Sequence, residues 1–201
     1  QLYPFYAKIG MGSGIMPIGQ FVYNSTRSKG YHYGLTIDHL SSFGAVKNRE
    51  GIEYAPANYD RTMASLYGKI VDNRYTLRGQ IDYYNNGFNY YGIPTDTIQK
   101  SDINQRIQGI GGIVNYTSDF GLMEVMNYSI DLGYNYLFTK PPIEDTIVDW
   151  RTQEHNLNFK TKGWYNYRSE TFYGIIGARF NSYQFGIEDS ILSSSNIGRL
   201  S

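Results

Sequence analysis

Met126-Asn127-Tyr128-Ser129-Ile130-Asp131-Leu132-Gly133-Tyr134-Asn135-Tyr136-Leu137-Phe138, the heart of the stretch from Gly121 to Thr139, decides how the chain is read. Met126, Tyr128, Ile130, Leu132, Tyr134, Tyr136 and Phe138 fall on every second position, with Asn127, Ser129, Asp131, Gly133, Asn135 and Leu137 between them. An extended backbone points successive side chains to opposite faces, so a period of two specifies a strand with one aromatic and one polar face. Strands of ordinary globular domains have about 5 to 6 residues, and this one keeps its alternation for more than twice that. A strand crossing a bilayer needs about 9 to 11 residues, apolar toward lipid and polar toward a lumen. The pattern predicts a membrane-spanning barrel strand.

The composition agrees with that setting. The 201 residues are 41% hydrophobic, with a mean hydropathy of -0.46. Such values look soluble, but a barrel strand gives half its positions to a polar interior and keeps the average low. A run of 18 or more apolar residues, the mark of a membrane-spanning helix, does not occur. Tyrosine, at 21 residues, suits the two membrane-water interfaces, and glycine, at 22, suits a curved sheet. Eighteen basic and eighteen acidic residues cancel, so no nucleic-acid partner is expected. The absence of cysteine removes disulfides and thiolate metal sites. Gln1 opens directly into folded-looking sequence, and any signal peptide is expected to lie outside these residues.

Working outward, Tyr3, Phe5, Ala7, Ile9 and Met11 alternate with polar or small residues, and a Gly/Pro-rich bend through Pro17 is expected to lead into a less regular strand ending near Thr26. After a tight turn at Arg27 to Gly30, Tyr31, Tyr33, Leu35 and Ile37 share a face opposite His32, Gly34, Thr36 and Asp38. Ser42 to Tyr59 reads as a long irregular segment. Thr62 to Val71 turns at Asp72-Asn73 into a strand with Tyr75, Leu77, Gly79, Ile81 and Tyr83 on one face, whose far end extends toward Tyr91. Pro94 to Asn104 is a polar loop, Gln105 to Tyr116 a strand, Ser118-Asp119 a turn, and Lys140 to Thr152 a third long loop. Asn156 to Tyr167 and Phe172 to Phe180 form a last hairpin about Ser169-Glu170, and Ile187 to Ser201 reads as an irregular tail.

Tight turns thus alternate with loops of roughly 11 to 18 residues, the asymmetry of barrels with short periplasmic turns and long extracellular loops. The turns recur about every 45 to 50 residues, a spacing shared with propeller blades, but a blade fits four short strands where each repeat here holds two long ones. The fold class expected is all-β: an antiparallel up-and-down transmembrane β-barrel of about nine strands, occupying residues 1-201 as one unit. A soluble carbohydrate-binding sandwich is the competing class; it needs no aromatic girdle, whereas Tyr31, Tyr75, Tyr165, Tyr167 and Phe172 border the short turns.

With its tyrosine-rich hairpins and His39-Leu40-Ser41-Ser42-Phe43-Gly44 leading into a long loop, the chain resembles outer-membrane β-barrels of the TonB-dependent receptor and porin-like type in Bacteroidota. The likeness is one of style over nearly the whole length. It implies residence in the bacterial outer membrane among its lipids, uptake or diffusion of a small solute, and a plug domain and TonB as partners outside this segment. The sequence offers no catalytic constellation, so no enzymatic activity and no cofactor are expected; a purely structural barrel is the other form of the resemblance. Barrels of this kind have even strand numbers and end in an aromatic residue. An odd count and the ending Arg199-Leu200-Ser201 lead to the expectation that the chain is an internal piece of a longer barrel.

Candidate site residues follow from parity. Arg74, Arg78, Gln80, Asp82, Asp131, Asn135, Asn156, Asn158, Lys160, Lys162 and Arg179 fall on lumen positions, where they would line a pore, contact a plug or bind a sugar or peptide. His32, Asp38 and His39 are close in sequence and His155 follows Glu154, but an odd spacing sends His32 and His39 to opposite faces, so rim or lumen hydrogen bonding is expected rather than a metal site or triad. The acid pairs Glu144-Asp145 and Glu188-Asp189 read as solvated loop carboxylates, with calcium binding the alternative. Asp96-Thr97-Ile98, Asp145-Thr146-Ile147 and Asp189-Ser190-Ile191 resemble the Asp-Ser/Thr-apolar acceptor of Bacteroidota O-glycosylation, at Thr97, Thr146 and Ser190; the same tripeptides also open turns.

Overall fold

The computed structural model describes residues 3–26, 28–47, 49–51, 53–89, 103–118, 126–140, 151–168, 170–185 and 194–200. Long alternating sequence gives long strands: β1 (Phe5–Gly12), β2 (Met16–Asn24), β3 (Tyr31–Ser42), a short hairpin β4 (Ala45–Lys47) and β5 (Glu53–Pro56), then β6 (Tyr59–Val71), β7 (Tyr75–Asn89), β8 (Asn104–Ser118), β9 (Met126–Lys140), β10 (Thr152–Tyr167), β11 (Glu170–Phe185) and β12 (Ser194–Leu200). Ten of them form one antiparallel sheet in the order β1-β2-β3-β6-β7-β8-β9-β10-β11-β12, so each strand pairs with its neighbours in the chain once the β4-β5 hairpin is set aside. The sheet is open: β1 and β12 are its two edges.

Pairing in the large sheet runs without a register shift, from Phe5↔Tyr23 through Leu35↔Leu66, Ile81↔Leu66 and Tyr134↔Leu157 to Leu157↔Phe180. Side-chain parity is therefore carried unbroken from strand to strand. One face holds Tyr31, Leu35, Ile70, Leu66, Leu77, Ile81, Val114, Ile110, Leu132, Tyr134, Leu157, Phe159, Ile176 and Phe180, while the other carries Asp38, Lys69, Arg78, Asp82, Asp131, Lys160, Lys162 and Arg179.

Among the described residues no second layer covers the apolar face of the sheet. Ile103 is the one buried apolar side chain among the described residues, whereas Ile9, Leu66, Ile81, Val114, Leu132, Phe172 and Ile176 are about half exposed or more. Large exposed apolar side chains of the opposite, polar face are few: Tyr6, Ile18, Met63, Ile113, Tyr173 and Ile175. The polar face is hollowed by a depression of about 890 Å³ lined from Asp82 on β7 across β8, β9 and β10 to Arg179 on β11.

Several local expectations are corrected. The first turn occupies residues 13–15, with Gly14 at φ 77° and Ile15 at φ 58°, so Pro17 lies inside β2, opposite Met11, instead of in the bend. That turn also places one short connection at the end of the sheet that otherwise carries the long ones, so the alternation of connection lengths is not strict. The segment from Ser42 to Tyr59 is not wholly irregular: it contains the β4-β5 hairpin, with a register shift at Val46/Lys47. The tail from Ile187 contributes β12, which raises the large sheet to ten strands. The expected extension of β7 beyond the end of its alternation at Tyr83 is present through Asn89, and β10 and β11 are each 16 residues long. At about 3.4 Å per residue such strands reach roughly 50 Å.

Candidate functional site

Cross-strand register assembles the polar face into rows. One runs His32–Lys69–Arg78–Asn115–Asp131–Lys160 across six strands; the next carries Tyr67, Gln80, Ile113, Gly133, Asn158 and Arg179; a third carries Ser65, Asp82, Gly111, Asn135, Asn156 and Asn181. Ten of the eleven sequence-derived candidates stand on this face within strands. Arg74 differs: it belongs to the turn at 72–74, one residue ahead of β7, where Asp72 N–H donates to Tyr75 O at 2.9 Å. Asp82, Asp131, Asn135, Asn158, Lys160 and Arg179 line the hollow itself.

The side chains are tied into a hydrogen-bonded lattice. Gln80 Nε2 donates to both carboxylate oxygens of Asp82, each at 2.9 Å, and Ser65 Oγ donates to Asp82 Oδ1 at 2.5 Å. Asn115 donates to Asp131, Asn158 to Asn156, and Asn156 to Asn181, while Arg179 Nε reaches Asn158 Oδ1 at 2.6 Å. Gly133 and Gly177 leave part of the hollow's lining without side chains. Of the lining charges, the acids Asp82 and Asp131 stand on β7 and β9 and the cations Lys160 and Arg179 on β10 and β11, so the hollow has an acidic and a basic side. Ser65, Asn115 and Asn181 take part in these bonds and Lys69 stands in the first row; none of the four is among the sequence-derived candidates, and their parity on β6, β8 and β11 was the signal that could have found them.

The histidines separate as parity requires. His32 stands on the polar face, and His39 on the opposite one, where its Nδ1 meets Thr62 Oγ1 at 2.8 Å and its Nε2 meets Ser41 Oγ at 3.2 Å. His155 shares that face, with Nδ1 2.8 Å from Tyr134 Oη and its ring 4.9 Å from that of Tyr136. Among the described residues no three His, Asp or Glu side chains gather as metal ligands. Thr97, Thr146 and Ser190, and the pairs Glu144-Asp145 and Glu188-Asp189, lie outside the described residues.

Charge is partitioned between the two faces. Among side chains described in the large sheet, the apolar face carries Asp60, Arg106 and Lys140 at the long-connection end and Glu170 at the short-turn end, with no acid, lysine or arginine between. Its short-turn border is aromatic: Tyr116 stacks on Tyr75 and on Tyr128 at 5.7 Å each, and Tyr165 on Tyr167 at 6.5 Å. Comparison of the chain with protein-family models, with curated proteins and with solved structures found no match.

Proposed function

We propose that the chain forms wall of an outer-membrane β-barrel through which a small polar solute crosses by uptake or diffusion. The partition of charge between the two faces carries this reading. An arginine or lysine facing mid-bilayer lipid costs about 2 to 4 kcal/mol, which accounts for an outer face cleared of charge between its ends. The aromatic border, the single layer and the hollow polar face support the same assignment, since a soluble sandwich buries its apolar faces between two sheets. The polar lining of Asp82, Asp131, Asn135, Asn158, Lys160 and Arg179 would then face the solute's path.

The test is partitioning and conductance. The protein should enter the detergent phase, show heat-modifiable gel mobility, and raise the ion conductance of a planar bilayer. Recovery in the aqueous phase with no mobility shift would overturn the membrane reading. An N-terminal plug in the complete open reading frame would support TonB-dependent import; a frame without one supports passive diffusion.

A further inference from the structure

On the apolar face, the rows toward the long connections change character. Tyr83, Ile110 and Tyr136 share one row; the next is mixed, with Thr62, Asn85 and Gln108 beside Phe138 on β9, and the one beyond it holds Ser41, Asp60, Gly87, Arg106 and Lys140. Strands this long outrun the hydrocarbon, so on the membrane reading these two rows stand at the level of the outer-leaflet head groups.

Arg106 on β8 and Lys140 on β9 are directly opposite one another. Directly opposed residues have Cβ atoms about 4.5 to 5.5 Å apart, so both cationic heads can converge on one anion. Arg106 is held in place from the other side. Its guanidinium reaches Asp60 Oδ1 at 3.4 Å by crossing β7 at Gly87, where an added Cβ would collide with that same carboxylate oxygen. Asp60 is fixed in turn by Asn85 Nδ2 at 2.5 Å, and Asn85 Oδ1 accepts from Gln108 Nε2 at 3.1 Å. The Arg106 side chain remains 43% exposed within this frame, and Arg151, one residue before β10, adds a third basic residue next to the row.

We propose that Arg106 and Lys140 form an exterior site for the phosphate of an outer-leaflet glycolipid, with the acyl chains lying over Ile110, Tyr83 and Tyr136. The inference rests on the membrane reading above. A guanidinium gives a phosphate two parallel hydrogen bonds and an ammonium adds a point charge, which matches a phosphorylated head group at an apolar boundary. Among the described strand residues of the opposite border the charged one on this face is Glu170, an acid.

The experiment compares the full-length protein in detergent with R106Q/K140Q, adding diphosphorylated lipid A, its dephosphorylated form, or inorganic phosphate, and reading bound lipid by native mass spectrometry and the unfolding temperature. The expected result is retention of the phosphorylated lipid and an unfolding temperature raised by several degrees in the parent, both lost in R106Q/K140Q and kept in part by R106K with Lys140 intact, which retains the charge but not the paired hydrogen bonds. Equal stabilisation of R106Q/K140Q, or equal binding of the dephosphorylated lipid, overturns the proposal. Stabilisation by inorganic phosphate to the same extent overturns the lipid as occupant. A protein with heat-modifiable mobility that holds no phosphorylated lipid refutes this site alone, whereas one that stays in the aqueous phase refutes both this site and the membrane reading.

Discussion

Tyr67 on β6 reaches across β3 at Gly34 to donate its hydroxyl to Asn24 Oδ1 on β2 at 2.8 Å. A Cβ on Gly34 would lie 2.5 Å from Tyr67 Cε1 and 2.6 Å from Asn24 Oδ1, so the missing side chain is what lets three strands be tied by one residue. Gly34→Val should expel the ring and cost about 1 to 3 kcal/mol, as overpacking generally does. Gly79→Ala is the control, since a Cβ there meets nothing within 4 Å. Urea midpoints in detergent should fall for the first and stay level for the second.

A scan of charge across the apolar face should follow depth. Leu132 is central in the apolar run of β9 from Met126 to Phe138, and Leu132→Arg should lower stability by about 2 to 4 kcal/mol. Leu77→Arg, nearer the short turns, should cost less, and Thr76→Arg on the polar face should be tolerated. Folded fractions in bilayers of defined composition measure the series, and equal costs at Leu77 and Thr76 would contradict the assignment of faces.

Tyr116 is the middle ring of a three-tyrosine stack. Each aromatic pair contributes about 0.5 to 1.5 kcal/mol beyond area burial, so Tyr116→Ala should lose roughly 1 to 3 kcal/mol and Tyr116→Phe much less. The same unfolding titration distinguishes them.

Lys160 faces Asp131 in register on the lining of the hollow. Lys160→Glu places two carboxylates opposite each other and should shift the path toward cations, read as a changed reversal potential under a salt gradient. An unchanged potential would put Lys160 away from the conducting path.

Much of the sheet was legible because nothing interrupts its register. Where Met126 to Phe138 or Tyr75 to Tyr83 alternates, the strand and its two faces follow from sequence, and the candidates from Arg78 to Arg179 share a face because no bulge flips them. The far half of β7, expected to extend toward Tyr91, carries a weaker signature because Asn85 and Asn89 continue the parity of Tyr83 but are polar, so the strand persists after its hydrophobic alternation has stopped. The ties across glycine were hidden: Asp60 and Arg106 are 46 residues apart, and only pairing on both sides of Gly87 brings them together. Pro17 misled as a turn signal because it stands at the start of β2, before the pairing of Ile18 with Leu40 on β3 begins.

Strand order that copies chain order has a consequence for how such a molecule is made and how it can change. Apart from the small β4-β5 excursion, every strand waits only for the next one to arrive, so the wall can grow by successive hairpins and never requires a distant segment to thread between two strands already joined. A duplicated hairpin would find its two neighbours without rewiring any other pair. The width of the sheet is therefore a quantity evolution can adjust two strands at a time.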